Sequence, residues 1–90
     1  MRQHLNIKIH GQVQGVFFRH SARQKAEELG IKGFAGNEPD DSVYIEAEGE
    51  EENLKKFLDW CRQGPDSAEV KKTESEFKPT IKNFSEFVIL

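Results

Sequence analysis

Early in the chain the spacing of apolar residues switches from one period to another, and that switch fixes a backbone connection. Leu5, Ile7 and Ile9 alternate with polar residues, as in a strand with one buried face. Phe18, Ala22, Ala26 and Leu29 then recur along one face of a helix. Between them lies Gly11-Gln12-Val13-Gln14-Gly15-Val16-Phe17-Phe18-Arg19. A loop with two glycines therefore joins strand to helix and delivers an arginine into the helix's first turn. The first turn of a helix has N–H groups without partners and the positive end of the helix dipole. Glycines let neighbouring N–H groups curl toward a common point, and a permanently charged, forked guanidinium completes a site for a phosphate-sized anion.

The pattern continues in the same alternating manner. Strand one is read over about residues 3–10, and Gly30 ends the first helix as a left-handed residue after the helix C-terminus does. Strand two is read over about 31–38, and Pro39-Asp40-Asp41-Ser42 is turn chemistry. Strand three, about 43–49, sets Val43, Ile45 and Ala47 against Tyr44, Glu46 and Glu48. Glu50-Glu51-Glu52 suits a helix N-terminus, and Leu54, Phe57, Leu58 and Cys61 give the second helix a core face that Gly64-Pro65 stops. Strand four, about 68–77, slips in its alternation near Lys71-Lys72, which predicts a bulge. Lys78-Pro79-Thr80 opens a connection to a last strand over about 84–90.

Strands two and three are joined too tightly to be anything but antiparallel. Two β-α-β units sharing one sheet predict an α+β fold, the ferredoxin-like two-layer sandwich. This is βαββαβ, an antiparallel sheet with two helices on one face. The other sheet face is expected to be wet, since His4, Asn6, Lys8 and His10 alternate with the buried residues of strand one. Ninety residues make one domain, residues 1–90. The single cysteine excludes an internal disulfide, and Cys61 reads as a small buried apolar residue. No apolar run approaches the about 20 residues of a membrane span, nor is there a signal-peptide stretch, so a cytoplasmic protein is expected. A formal charge of −3, with 16 acidic residues against 13 basic, opposes nucleic acid as a partner. Any anion site must then be built locally, from amides and one arginine.

Arg19 is the first candidate, with the loop N–H groups beside it; the bland alternative is a surface arginine after an ordinary turn. A Gly-x-x-x-Gly loop is a weak signal, and it matches neither the dinucleotide fingerprint nor the P-loop. Asn37 is the second, at the end of Gly33-Phe34-Ala35-Gly36-Asn37. A carboxamide there can accept a hydrogen bond from a water and hold it for attack, or can merely initiate the turn. The histidines His4, His10 and His20 read as surface residues. The acidic run from Glu46 to Glu52 reads as a solvated strand face followed by a helix start, and no spacing suggests a metal site.

Taken together, these residues resemble the acylphosphatase family over nearly the whole chain. The specific part is Gly11-x-Val13-Gln14-Gly15-Val16-x-Phe18-Arg19, followed by Ala26-x-x-Leu29-Gly30-x-x-Gly33 and by Asn37 before Pro39-Asp40. Gly49, Gly64-Pro65, Phe87 and Ile89 also fall where that family has its glycines, loop and last strand. The resemblance implies an enzyme that hydrolyses the carboxyl–phosphate bond of a small-molecule acyl phosphate with no metal or cofactor. From charge and hydropathy no nucleic-acid or membrane partner is expected. A monomer is expected, although the apolar last strand could pair with another chain if it lies at a sheet edge. By position, Arg19 and the backbone amides of Gln14, Gly15, Val16, Phe17 and Phe18 would bind the phosphoryl group, and Asn37 would orient the attacking water. The chain departs from the family at Phe34, usually tryptophan, at Ala35 and Gly36, usually an apolar or basic residue, and at Asp41, usually glycine. Asp41 then stands where a turn wants positive φ. The rival from another class is a non-catalytic phosphate-binding or regulatory module on the same sandwich.

Overall fold

A computed structural model of the chain describes residues 1–79 and 81–90, so Thr80, part of the expected connection, lies outside the described residues. The elements are β1 (Arg2–Gln12), α1 (Phe18–Glu28), β2 (Lys32–Asn37), β3 (Val43–Glu50), α2 (Glu51–Gln63), β4 (Glu69–Lys78) and β5 (Phe87–Ile89). They form one five-stranded sheet in the order β4-β1-β3-β2-β5. Four strands pair antiparallel, as expected of the ferredoxin-like sandwich, and β5 adds a parallel pair on β2 that makes the sheet mixed.

The buried faces follow from the alternation. Leu5, Ile7 and Ile9 of β1 and Val43, Ile45 and Ala47 of β3 are fully or almost fully buried. Against them lie Phe18, Ala22 and Ala26 of α1 and Leu54, Phe57, Leu58 and Cys61 of α2. Burial alone pushes the Cys61 thiol pKa up, as for an inert core residue. Ala22 and Ala26 let α1 approach the sheet closely, with Phe18 filling the space at its N-terminal end. The expected bulge is present. His10 pairs with Lys72 and Gly11 with Val70, which leaves Lys71 unopposed. Gly11 takes φ 130° there, and a Cβ on it would meet the Glu69 carbonyl oxygen at 2.1 Å.

The sheet face away from the helices stays partly open around Lys8 and His10 but is covered at its His4 end. Residues 81–86 run across it from the β4 side to the β5 side, and His4, Glu46 and Glu48 beneath them are 2 %, 8 % and 0 % exposed. The Glu48 carboxylate accepts the main-chain N–H of Lys82 and of Phe84, and it pairs with His4 Nδ1 at 2.7 Å. His4 Nε2 faces Asn6 Oδ1 at 2.8 Å and Glu46 Oε1 at 3.0 Å. Lys82 Nζ and the Tyr44 hydroxyl also bond Glu46. The Phe84 ring lies over His4 and edge-on to Phe34. So His4 is not a surface histidine, and Glu46 and Glu48 are not solvated. For the same reason the last strand begins at Phe87 rather than at residue 84: Phe84 spends its N–H on Glu48 and its ring on the sheet face, outside any ladder.

Candidate active site

β1 and β2 both run antiparallel to β3, so their C-terminal ends emerge at the same end of the sheet. Val43 makes this concrete, pairing with Ile9 on one side and with Asn37 on the other. With β3 between them, the end of β1 and the end of β2 are separated by two strand spacings, about 10 Å. The loop of residues 13–17 leaves β1 at that end. Gln14 closes the gap: its side-chain Nε2 donates to the carbonyl oxygens of Glu38 and Ser42, both at 2.9 Å. The loop is thereby tied to the two sides of the hairpin that carries Asn37. Sequence reasoning singled out only the backbone amide of Gln14; the side chain's part emerges from strand order alone.

Within the loop, Gly15 has φ 73° and Phe17 has φ 61°. Phe17 is the residue before α1, and its carbonyl accepts the Ser21 N–H at 3.0 Å to close the first turn. Among the described residues, no hydrogen bond engages the main-chain N–H groups of Gln14, Gly15, Val16, Phe17 or Phe18. This is the free donor cluster that a loop leading into a helix N-terminus provides. Two anchors hold it in shape. The buried Phe18 ring packs on Trp60, 5.5 Å between centroids, and so closely over Gly64 that a Cβ there would meet it at 2.7 Å. Ser67, from the connection between α2 and β4, donates its hydroxyl to the Val16 carbonyl at 2.7 Å. In a trans peptide the C=O and the following N–H point in opposite directions. Fixing the Val16 carbonyl toward Ser67 therefore fixes the Phe17 N–H toward the other side.

Arg19 leaves the first turn of α1 and donates from Nη1 to the main-chain oxygen of Leu90 at 2.5 Å. Leu90 in turn donates its N–H to the Ala35 carbonyl at 2.9 Å. Its side chain rests on Gly36, at a distance where a Cβ on that residue would be in ordinary contact. Leu90 also lines a recess of about 190 Å³ with Phe34, Gly36, Asn37, Glu38 and Tyr44. Arg19 and Asn37 are thus brought to the same end of the sheet, joined through Leu90. One guanidinium N–H is spent on the Leu90 main-chain oxygen, and the fork has further donors to offer an anion.

The hairpin turn is held by Asp40, whose carboxylate accepts the Ser42 hydroxyl and N–H and pairs with Lys8 at 2.9 Å. Those bonds, Ser42 first and Lys8 next, hold its carboxyl well below the usual carboxylate range. Asp41 sits at φ 71°, the strained turn position expected of it. Tyr44, at the edge of the Asn37 recess, has its pKa pushed up to about 12 by burial and by its bond to Glu46. It therefore stays protonated at neutral pH. Among the described residues, no three His, Cys, Asp or Glu side chains gather as a metal site, and no helix is long and apolar enough to cross a membrane.

Known proteins resemble the chain in sequence and in fold. The acylphosphatase family model matches residues 5–89. An acylphosphatase of Archaeoglobus fulgidus is 47 % identical over 94 % of this chain and 94 % of its own length. One of Marinobacter nauticus is 42 % identical over 91 % of this chain and 89 % of its own. The crystal structure of acylphosphatase from Bacillus subtilis superposes with a TM-score of 0.94 at 29 % identity, covering all of this chain and 99 % of that one. With a family match over nearly every residue, and with the glycine loop, Arg19 and the Asn37 hairpin folded to one end of the sheet, the chain belongs to the acylphosphatase family.

Proposed function

We propose that residues 1–90 act as one monomeric, cytoplasmic acylphosphatase domain in which Arg19 and Asn37 carry the reaction without a metal. The amides of Gln14, Gly15, Val16, Phe17 and Phe18 and the Arg19 guanidinium hold the phosphoryl group of an acyl phosphate. The Asn37 carboxamide accepts a hydrogen bond from a water and aims it at phosphorus. A bond forms from the water oxygen to phosphorus as the bond from phosphorus to the acyl oxygen breaks. The electron pair leaves with the carboxylate, and the water's proton passes to the phosphate product.

The leaving group explains why so few groups suffice. A carboxylate is a weak base, with a conjugate-acid pKa of about 4, and departs without a proton from the enzyme. A phosphate monoester expels a far stronger base and needs a general acid, a metal or a covalent nucleophile. Positioning and charge stabilisation of a loose phosphoryl transition state are what this site offers. The observation that carries the reading is the pair of Gln14 hydrogen bonds, because they hold the anion loop against the hairpin bearing Asn37.

The test is hydrolysis of benzoyl phosphate beside an aryl phosphate ester, with a chelator present. The expected result is rapid release of phosphate from the first and none above background from the second. A protein that binds inorganic phosphate yet turns over neither substrate would be an anion-binding module instead. Activity lost on chelation would reject the metal-free step.

A further inference from the structure

Two neighbouring phenylalanines at the head of α1 have opposite fates. Phe18 is 1 % exposed and anchors the loop, whereas Phe17 is 74 % exposed. Phe17 also has left-handed backbone geometry, φ 61° and ψ 23°, which disfavours a residue with a Cβ and which glycine adopts freely. The ring adds nothing to the core. Its aromatic neighbour is His20, tilted at 58° with centroids 6.5 Å apart. A strained conformation carrying an uncovered aromatic ring beside an anion loop has no account in folding alone.

The geometry of phosphoryl transfer says what the ring faces. Attacking oxygen, phosphorus and leaving oxygen lie roughly in line. On the proposed function, on which this inference rests, the water stands on the Asn37 side. The acyl group must then project from phosphorus away from Asn37. Arg19 has a recess on either hand. Leu90, to which it bonds, lines the one that contains Asn37, and Arg19 itself lines another of about 180 Å³ that contains Phe17 and His20 but not Asn37. We propose that Phe17, with His20 beside it, forms the subsite for the acyl group, favouring acyl phosphates whose acyl part is aromatic or bulky and apolar. The loop and Arg19 grip every substrate by its phosphoryl end, and the Phe17 ring discriminates by the other end.

The experiment compares benzoyl phosphate with acetyl phosphate on the wild-type chain, on Phe17→Gly and on Phe17→Leu. Glycine keeps the left-handed backbone and removes the ring; leucine keeps an apolar side chain. The wild type is expected to prefer benzoyl phosphate. In Phe17→Gly the ratio of kcat/KM for benzoyl phosphate to that for acetyl phosphate should fall about fivefold or more, a ratio in which any change to the loop amides common to both substrates cancels. Phe17→Leu should lie between. An unchanged preference in Phe17→Gly would overturn the subsite, and so would an equal loss on both substrates, which would make the ring a support for the loop. A wild-type chain inactive on both substrates would instead remove the hydrolase reading itself.

Discussion

Arg19 faces the anion loop and at the same time touches Leu90, so truncating it acts twice. On the proposed roles, Arg19→Ala loses ground-state binding and transition-state stabilisation together, and kcat/KM on benzoyl phosphate should fall by about 3 kcal/mol or more. Asn37→Ala should behave differently: kcat collapses, while the inhibition constant of inorganic phosphate stays within about twofold. Loss of phosphate affinity along with turnover would make Asn37 a structural support of the loop. Ser67 is a third and subtler case. With its hydroxyl gone, the Val16 peptide is free to turn, so Ser67→Ala should weaken phosphate binding about threefold at unchanged kcat, and Ser67→Thr should restore it. That Arg19 and Asn37 stand at one end of the sheet could be anticipated only from the joint match of the glycine loop and the Asn37 hairpin to the family pattern, since each piece alone is a weak signal. Ser67, the Gln14 side chain and Leu90 could not be anticipated at all. Each acts through a contact across the fold, and nothing in an isolated serine, glutamine or leucine signals that.

Among the elements, both helices, the strand alternation, the β4 bulge and the strained Asp41 turn could be read along the chain, because each is specified by neighbours in sequence. The covered outer face could not. Alternation separates the residues that face the helices from those that do not, but it is silent on whether the second face is bare. His4, Glu46 and Glu48 look like solvent-facing polar residues. Instead they supply the acceptors and ion pairs that a crossing segment with free N–H groups requires. Glu48→Ala should therefore leave the N–H groups of Lys82 and Phe84 and the His4 ring without their partner. A loss of about 2–4 kcal/mol is expected, read as a lower midpoint in denaturant unfolding. Glu48→Ala leaves the residues of the proposed reaction untouched, so native protein at low temperature should retain its turnover.

For the molecule as a whole, catalysis and stability should respond to pH in separate ranges. No side chain assigned to the step changes charge between about pH 5.5 and about pH 7.5, so kcat at saturating benzoyl phosphate should be nearly flat there. A steep inflection inside that window would bring a titrating side chain into the mechanism. Stability follows the carboxylates under the crossing segment. Burial raises the Glu48 pKa, but the Lys82 N–H, His4 and the Phe84 N–H more than offset it, so it lies below its ordinary 4.5. Glu46 is lowered likewise, with Lys82, Tyr44 and His4 outweighing burial. A depressed folded-state pKa gives stability that is complete above the unfolded value and is lost as pH falls through the folded one. Thermal midpoints should hold on approaching pH 4.5 from above and drop below it. One hydrogen bond has a long reach. Arg19 meets Leu90 across 71 residues of sequence, and that contact depends on the final strand being docked beside β2. On the proposed function, a change that loosens β5 from β2 should therefore slow turnover before the domain as a whole unfolds.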